Sequence, residues 1–496
     1  MNPLSVLRRS ALSHTPLIRQ FFKIAVASIC VSFAAFSQLS VADQNVLIVI
    51  ADDLGKDSIG LYETQNQTAP TPNIDALAKN GVTFTNAWAN PVCSPTRATL
   101  LSGQYGFRNG VTTVVGGRSG GDGIDTSTYT LFNALAESNV GVVGNSVIGK
   151  WHLNDDSNGD TDNPNIMGVD YFAGLATGRF DYFNWEKTVN GVTQPVSNYS
   201  VTENVDDSIA WISEQDGPWL NWLAFMSPHS PFHKPPSDLH SYDDLVDDNA
   251  AARENPIPYY QAMIEAMDTE LGRLLAYLKQ IGEYDNTTII FLGDNGTPEQ
   301  VVAQPYDPEK AKGSLYQGGV NVPLVISGAG VANKGRTTNA LANAVDIFST
   351  TLAQFGIEAA DLPANVVIDS KSLVPVMQGN AGTREFVYSE IKGLSSTPDG
   401  QAISNGRYKL ISYAELDEEL YNLRSDPLET NNLIASGLSS EDQSQLALLR
   451  EGFNTLGAPY YKGGQVPTPT AAPTAAPTSA PSPTPTRRRW RQFRQP

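Results

Sequence analysis

Cysteine is nearly missing from this chain: 496 residues contain two, Cys30 and Cys93. That excludes a disulfide-stapled scaffold. Histidine is almost as scarce, with five. Positive charge is also short, 33 Lys and Arg against 52 Asp and Glu, for a formal net charge of −19. A general nucleic-acid binder is thereby excluded, and an anionic ligand must be met by a local cationic pocket. The apolar run Ile24–Phe36 is too short for a comfortable membrane span. It follows Arg8, Arg9, Arg19 and Lys23 and precedes Ser40-Val41-Ala42, a small-x-small cleavage pattern. Residues 1–42 are therefore expected to be a signal peptide for export to the periplasm or the medium, an uncleaved anchor being the alternative. Cleavage removes Cys30, leaving Cys93 as a lone thiol, with His152, His229, His233 and His240 as the mature histidines.

What remains is globular: 41% hydrophobic and 9% aromatic, long enough for one large domain and a smaller one. Asn45–Ile50, Val140–Ile148, Trp219–Met226 and Thr287–Leu292 read as buried strands, with Val82–Ala87 and Val322–Ile326 as further candidates. Helices are expected from Thr71-Pro72 to Asn80, over Leu131–Ser138, and over Tyr259–Ile281. In the last, Met263, Met267, Leu271, Leu274 and Leu278 recur at helical steps, a pattern of core rather than cofactor contact. The order predicts an α/β fold with a large, mostly parallel sheet covered by helices on both faces. Beyond about Thr383, strands Glu385–Ile391 and Tyr408–Tyr413 and a helix over Glu441–Leu456, capped by Ser440, predict a small α+β subdomain with an antiparallel sheet. The expected division is a catalytic domain over 43–383, the subdomain over 384–462, a Pro/Thr/Ala linker over 463–486 and a basic tail over 487–496.

Two strands run straight into acidic pairs, Asp52-Asp53 and Asp294-Asn295. Three carboxylates and an amide oxygen are hard donors suited to Ca²⁺, less so to Mg²⁺. Alone, each pair reads equally as turn chemistry. Lys150, His152, His229 and His233 also sit just past strand ends, where open α/β sheets bind ligands. Lys312 lies in a glycine-rich loop before a strand, and spacing leaves it at even odds between a site and solvent. Cys93-Ser94-Pro95-Thr96-Arg97 reads as a helix start closed by Gly103. Cys93 then sits at the positive helix end, with Arg97 one turn on. A buried, inert cysteine is the competing reading.

Taken together these residues resemble a type I sulfatase of the alkaline phosphatase superfamily, from Asn45 to about Leu456. The resemblance is carried by Cys93-x-Pro95-x-Arg97, Ala51-Asp52-Asp53, Thr71-Pro72-Asn73-Ile74-Asp75, Gly149-Lys150-Trp151-His152, Pro228-His229-x-Pro231, Gly293-Asp294-Asn295-Gly296, Lys312 before Gly318-Gly319, and Glu419-Leu420-Tyr421-Asn422-Leu423. It implies that a maturation enzyme oxidises Cys93 to formylglycine, whose hydrate attacks the sulfur of a sulfate ester. It implies Ca²⁺ held by Asp52, Asp53, Asp294 and Asn295 against residue 93. Arg97 and Lys150 are then expected to steady the hydrate. His229 and Lys312 bind sulfate and serve the leaving alkoxide, and His152 takes the proton when the covalent sulfate is expelled. Lys150 joins them as a substrate-binding group.

Two positions depart from the pattern: Thr96 where Ser is commoner, and Gln317 where many relatives have Glu. His233 is outside the family pattern and is carried as a candidate substrate-pocket group, with a structural role as the alternative. Tyr105, Arg108, Arg179, Tyr182 and Trp185 are weaker sugar-pocket candidates, each read first as structural or surface. The expected substrate is a sulfated carbohydrate or aryl sulfate, with no nucleic acid and no stable membrane partner. The rival readings are a phosphonate or phosphate monoester hydrolase of the same superfamily, and a secreted binding protein that kept the fold without catalysis.

Overall fold

The computed structural model describes residues 44–459 apart from 63–67, 117–119, 139, 142 and 179–180. The expected signal peptide with Cys30, the linker, the basic tail and Arg179 lie outside the described residues. Ten strands form one sheet: β1 (Asn45–Ala51), β2 (Gly81–Trp88), β3 (Gly144–Lys150), β4 (Tyr171–Leu175), β5 (Trp185–Val189), β6 (Val192–Val196), β7 (Trp219–Ala224), β8 (Thr287–Gly293), β9 (Leu324–Gly328) and β10 (Arg336–Asn343). Their spatial order is β10-β2-β9-β8-β1-β7-β3-β4-β5-β6. Only β9 and β5 run against the rest. A second, antiparallel sheet has the order β11 (Val387–Ile391), β12 (Gly400–Ser404), β13 (Tyr408–Tyr413), β14 (Glu419–Asn422).

The continuous apolar run of β1 follows from its place between β7 and β8, both parallel to it, so neither face meets water. Its alternate residues build two cores. Val46, Ile48 and Ile50 pack with Ala98, Leu100 and Leu101 of helix α2 (Cys93–Ser102) and Phe348 and Leu352 of α5 (Asp346–Gln354). Leu47 and Val49 pack on the opposite face with α1 (Pro72–Lys79), α3 (Ser200–Ser213) and α4 (Pro256–Gln280). Met263, Met267, Leu271, Leu274 and Leu278 of α4 are all fully buried there. The Thr71-Pro72-Asn73 motif also has a packing role. Asp268 of α4 accepts from the backbone N–H of Asn73 (3.0 Å) and Ile74 (2.8 Å), capping α1 from outside.

The fold class expected from the sequence is the one observed, with corrections at particular elements. The expected strand Val140–Ile148 starts at Gly144, after a turn at Gly141 with φ +100°. The hairpin β5–β6 was not anticipated, although Asn190-Gly191, both at positive φ, carries its turn signal. Strand β10 and helices α3 and α5 were likewise unforeseen. Ser439, not Ser440, caps the last helix, α6 (Ser440–Leu456): its Oγ accepts from Asp442 N at 3.2 Å. Leu446, Leu449 and Phe453 of α6 bury against Phe386, Tyr388 and Leu410 of the small sheet. Among the described residues no helix is long and apolar enough to cross a membrane.

Candidate active site

Strands β8, β1, β7 and β3 are neighbours and run the same way, so their C-terminal ends open on one edge. Chain continuity then delivers Asp294 and Asn295 from β8, Asp52 and Asp53 from β1, His229 from β7, and Lys150 and His152 from β3. Helix α2 brings Cys93 to the same edge as its first residue, 2% exposed, and ends at Gly103 in the left-handed region as expected. Lys312 closes the group from the loop before β9. Close approach demands glycine here: a Cβ on Gly149, which has φ +99°, would lie 2.0 Å from the carbonyl oxygen of Ala224. One on Gly178 would lie 2.1 Å from His152 Nε2.

Cys93 Sγ is 3.4 Å from His152 Nδ1 and 3.7 Å from Lys150 Nζ. Lys150 donates to Asp52 Oδ2 at 2.5 Å. Arg97 donates through Nε (3.2 Å) and Nη2 (2.8 Å) to Asp294 Oδ2 and through Nη1 to the Lys150 carbonyl (2.6 Å). Lys312 is ion-paired with Asp53 Oδ1, and His229 Nε2 stands 3.7 Å from Asp53 Oδ2. His229 Nδ1 lies 2.5 Å from the Ser230 carbonyl, which only accepts, so Nδ1 carries the hydrogen and Nε2 faces the site. Asp53 and His152 are non-glycine residues at φ +70° and +61°, uncommon backbone states that cluster where function imposes them.

Burial pushes the Cys93 thiol up despite Lys150, so the residue is not an activated thiolate. Burial pushes Asp52 up as well, but Lys150, His229, Arg97 and Lys312 outweigh it and hold the carboxylate well below its usual range. Asp294 goes the other way, to about 7, from burial and then the neighbouring Asp52 charge. Desolvation shifts His152 and His229 downward, toward their neutral forms. Lys150 and Lys312 resist the same desolvation through Asp52 and Asp53 respectively and stay charged.

One ligand atom from each of Asp52, Cys93 and Asp294 lies within 4.8 Å of the others, as does one from each of Asp52, Asp53 and His229. Asp52 Oδ1 and Asn295 Oδ1 are buried with no hydrogen-bond partner. The Asn295 amide nitrogen donates to Asp53 Oδ1 (2.8 Å) and the Gly296 carbonyl (3.0 Å), while its oxygen stays unpaired. Orphaned oxygens among carboxylates are a fit for a hard divalent cation.

Above these groups opens a cleft of about 690 Å³ bordered by Cys93, His152, His229 and Lys312. Its far wall comes from Val114–Gly116, Gly120–Asp122, Asn154–Ser157 and Thr177-Gly178. The first three stretches stand out in the sequence as glycine-rich or acidic loops. Thr177 and Gly178 give no signal. His233 is not brought to the cleft. Its ring packs 4.1 Å from Tyr182, and its nitrogens face the Pro231 carbonyl (3.0 Å) and Tyr199 Oη (3.3 Å). Tyr182 lies under the site: its hydroxyl is 2.7 Å from both the Met226 and His229 carbonyls. Tyr105 is buried in the small-sheet core, Arg108 pairs with Asp369, and Trp185 lines a separate small cavity. Gln317 donates from its backbone to Glu429 and accepts from Asn321, touching no acidic residue of the site.

The family model described as Sulfatase matches residues 44–357. The chain belongs to the sulfatase family. A second model, N-sulphoglucosamine sulphohydrolase, C-terminal, matches residues 310–451 of this sulfatase. N-acetylgalactosamine-6-sulfatase of Rattus norvegicus is 25% identical over 401 residues, 74% of this chain and 70% of the relative. Among solved structures, Ps i-CgsB in complex with k-i-k-neocarrahexaose superposes with a TM-score of 0.71 at 22% identity, over 83% of this sulfatase and 92% of that chain. BT4656 in complex with its substrate D-glucosamine-2-N,6-O-disulfate does so at 0.67 and 20% identity, over 84% and 98%. The reaction is hydrolysis of a sulfuric ester.

Proposed function

We propose that this enzyme removes sulfate from a sulfated carbohydrate, using formylglycine made from Cys93 by a maturation enzyme and one Ca²⁺ held by Asp52, Asp53, Asp294 and Asn295. The observation that carries the reading is the environment of Cys93: a buried thiol with a raised pKa, within 4 Å of Lys150 and His152, beside orphaned carboxylate and amide oxygens. Thiolate chemistry is disfavoured there, whereas an uncharged aldehyde hydrate at the same position needs no ionisation. When bound, the cation supplies Lewis acidity toward a sulfate oxygen.

The chain's own groups divide the remaining work. The charged ammonium groups of Lys150 and Lys312 hold the sulfate from two sides. Neutral His152, its Nδ1 toward residue 93, accepts the proton of the second hydroxyl as the covalent sulfate is expelled. His229 Nε2 protonates beside the arriving anion and donates to the leaving oxygen, its ring fixed through Nδ1. Arg97 acts through Asp294 and the Lys150 carbonyl and keeps both in place.

The sugar assignment is supported by the relatives, one an N-acetylgalactosamine-6-sulfatase and another solved with a disulfated glucosamine. Export through the segment 1–42, and a division near residue 383, complete the proposal. Mass spectrometry of the peptide containing residue 93, from protein of the native host, is expected to find formylglycine; unmodified cysteine there, with no release of free sulfate from aryl or sugar sulfates, sinks the reading. A higher kcat/KM on an aryl phosphonate than on the matched aryl sulfate would instead favour the phosphonate hydrolase.

A further inference from the structure

Among the described residues a second cavity, larger than the catalytic cleft, lies outside it. It measures about 930 Å³, within the rough 300–1,000 Å³ span of ligand pockets, and lies between the end of the large sheet and the small-sheet region. The loop bearing Lys312 is a wall common to both: Lys312 borders the cleft, while Lys310, Gln317 and Gly318 border the cavity.

The cavity's charges are unevenly committed. Its carboxylates are spent within the protein. Glu429, 2% exposed, is paired with Lys409 at 2.7 Å and accepts from Gln317 N at 2.5 Å. Asp57 is half-buried and accepts from Thr297 Oγ1 at 2.6 Å. Asp307 accepts from Glu309 N at 3.0 Å. The cations remain largely available. Arg407 is exposed; it lies over the Tyr408 ring at 5.3 Å and pairs with Glu441, itself 56% exposed, a pairing that solvent screens. The Arg424 side chain is exposed and pairs with no described residue. Lys56 and Lys310 pair with no carboxylate: they donate to the backbone carbonyls of Thr85 and Glu429 and lie over the rings of Tyr62 (4.8 Å) and Tyr316 (5.0 Å). Between these cations the lining is rich in carboxamides, from Asn86, Asn321, Asn339 and Asn405, with Tyr306 as an aromatic surface. Carboxamides and an aromatic face suit a polyhydroxylated ring, and uncommitted guanidinium groups suit its sulfate.

We infer that this second cavity binds a sulfated stretch of a carbohydrate chain away from the bond being hydrolysed, anchoring a polymer whose other end lies in the cleft. The inference rests on the sugar-sulfate reading above. An enzyme of net charge −19 repels a polyanion at long range, so a local cationic anchor raises the substrate's effective concentration at the cleft.

The test compares the full-length enzyme with its Arg407→Ala/Arg424→Ala variant, both positions being exposed. Binding is read by affinity electrophoresis in gels containing chondroitin 6-sulfate or carrageenan, each beside its desulfated form. Activity is read on an aryl sulfate. The expected result is a loss of about fivefold or more in affinity for at least one sulfated polymer, with aryl sulfate kcat/KM within about twofold of the parent. Equal retardation of both proteins in every sulfated gel overturns the inference. So does competition by millimolar inorganic sulfate as strong as that by sulfated oligosaccharide, which would make the cavity a simple anion site. An enzyme inert on aryl and sugar sulfates alike would fail the parent reading instead, independently of the gels.

Discussion

Two of the buried charge clusters among the described residues are built to opposite rules. Under the small sheet, Asp346 and Arg384 form a closed network. Asp346 Oδ1 accepts from Lys371 N (2.8 Å), Oδ2 from Asn343 N (2.9 Å) and Arg384 Nε (2.8 Å), and Arg384 reaches Tyr105 Oη (2.7 Å) and the Asp369 carbonyl (3.0 Å). Neither side chain leaves a buried atom unpaired. At the strand ends, Asp52, Asp53 and Asp294 crowd together with two orphaned oxygens and two residues at strained positive φ. A closed network holds structure. An open one, kept at a cost in stability, marks chemistry or a missing ion.

The sharpest way to separate the clusters is to remove a group from each. Cys93→Ala is expected to lower turnover by about 10⁴-fold or more with the fold intact, read by steady-state sulfate release and circular dichroism. Retention of a tenth of the activity would break the proposed mechanism. Asp52→Asn comes next. It weakens the acceptor of Lys150 and a proposed metal ligand together, with an expected loss of about 10³-fold in kcat/KM. Added Ca²⁺ should raise the melting temperature of the parent and not of this variant. In the closed cluster, Arg384→Met leaves Asp346 buried without its cation and should cost about 3–5 kcal/mol in denaturant unfolding. Its kcat per folded molecule should stay within about twofold, and a larger fall would mean the two clusters are coupled. The smallest effect is expected for Asp268→Ala, which uncaps α1 for about 1–2 kcal/mol with little change in kcat.

Much of the site could be read before any coordinates because each polar group follows directly on an apolar run. Asp52 directly follows β1, Asp294 directly follows β8 and Lys150 ends β3, so the parallel strands deliver them to one edge. His233 lies in the same segment after β7 as His229, yet it turns into the aromatic group of Tyr182, Phe183 and Tyr199. Nothing local distinguishes it from His229. Strand β10 was missed because Arg336–Asn343 is polar and half-exposed at the sheet edge, without alternation to betray it. The Glu429–Lys409 pair joins positions far apart from the loop they brace, and no spacing rule could connect them to Gln317.

The sequence by itself determined the local pieces: a β-branched run that must be buried on both faces, an amphipathic α4, and a cysteine set at a helix start by Pro95 and Gly103. Those depend on side-chain periodicity and backbone sterics, which act over a few residues. Only the tertiary structure decided which strand ends stand side by side. The order β8-β1-β7-β3 puts residues 294, 52, 229 and 150 around Cys93, and the pairing of distant strands is chosen by the packing of both cores together rather than by any one segment. The same long-range packing opened a second cavity behind the Lys312 loop, where the charge left uncommitted is positive in a chain that is otherwise strongly acidic.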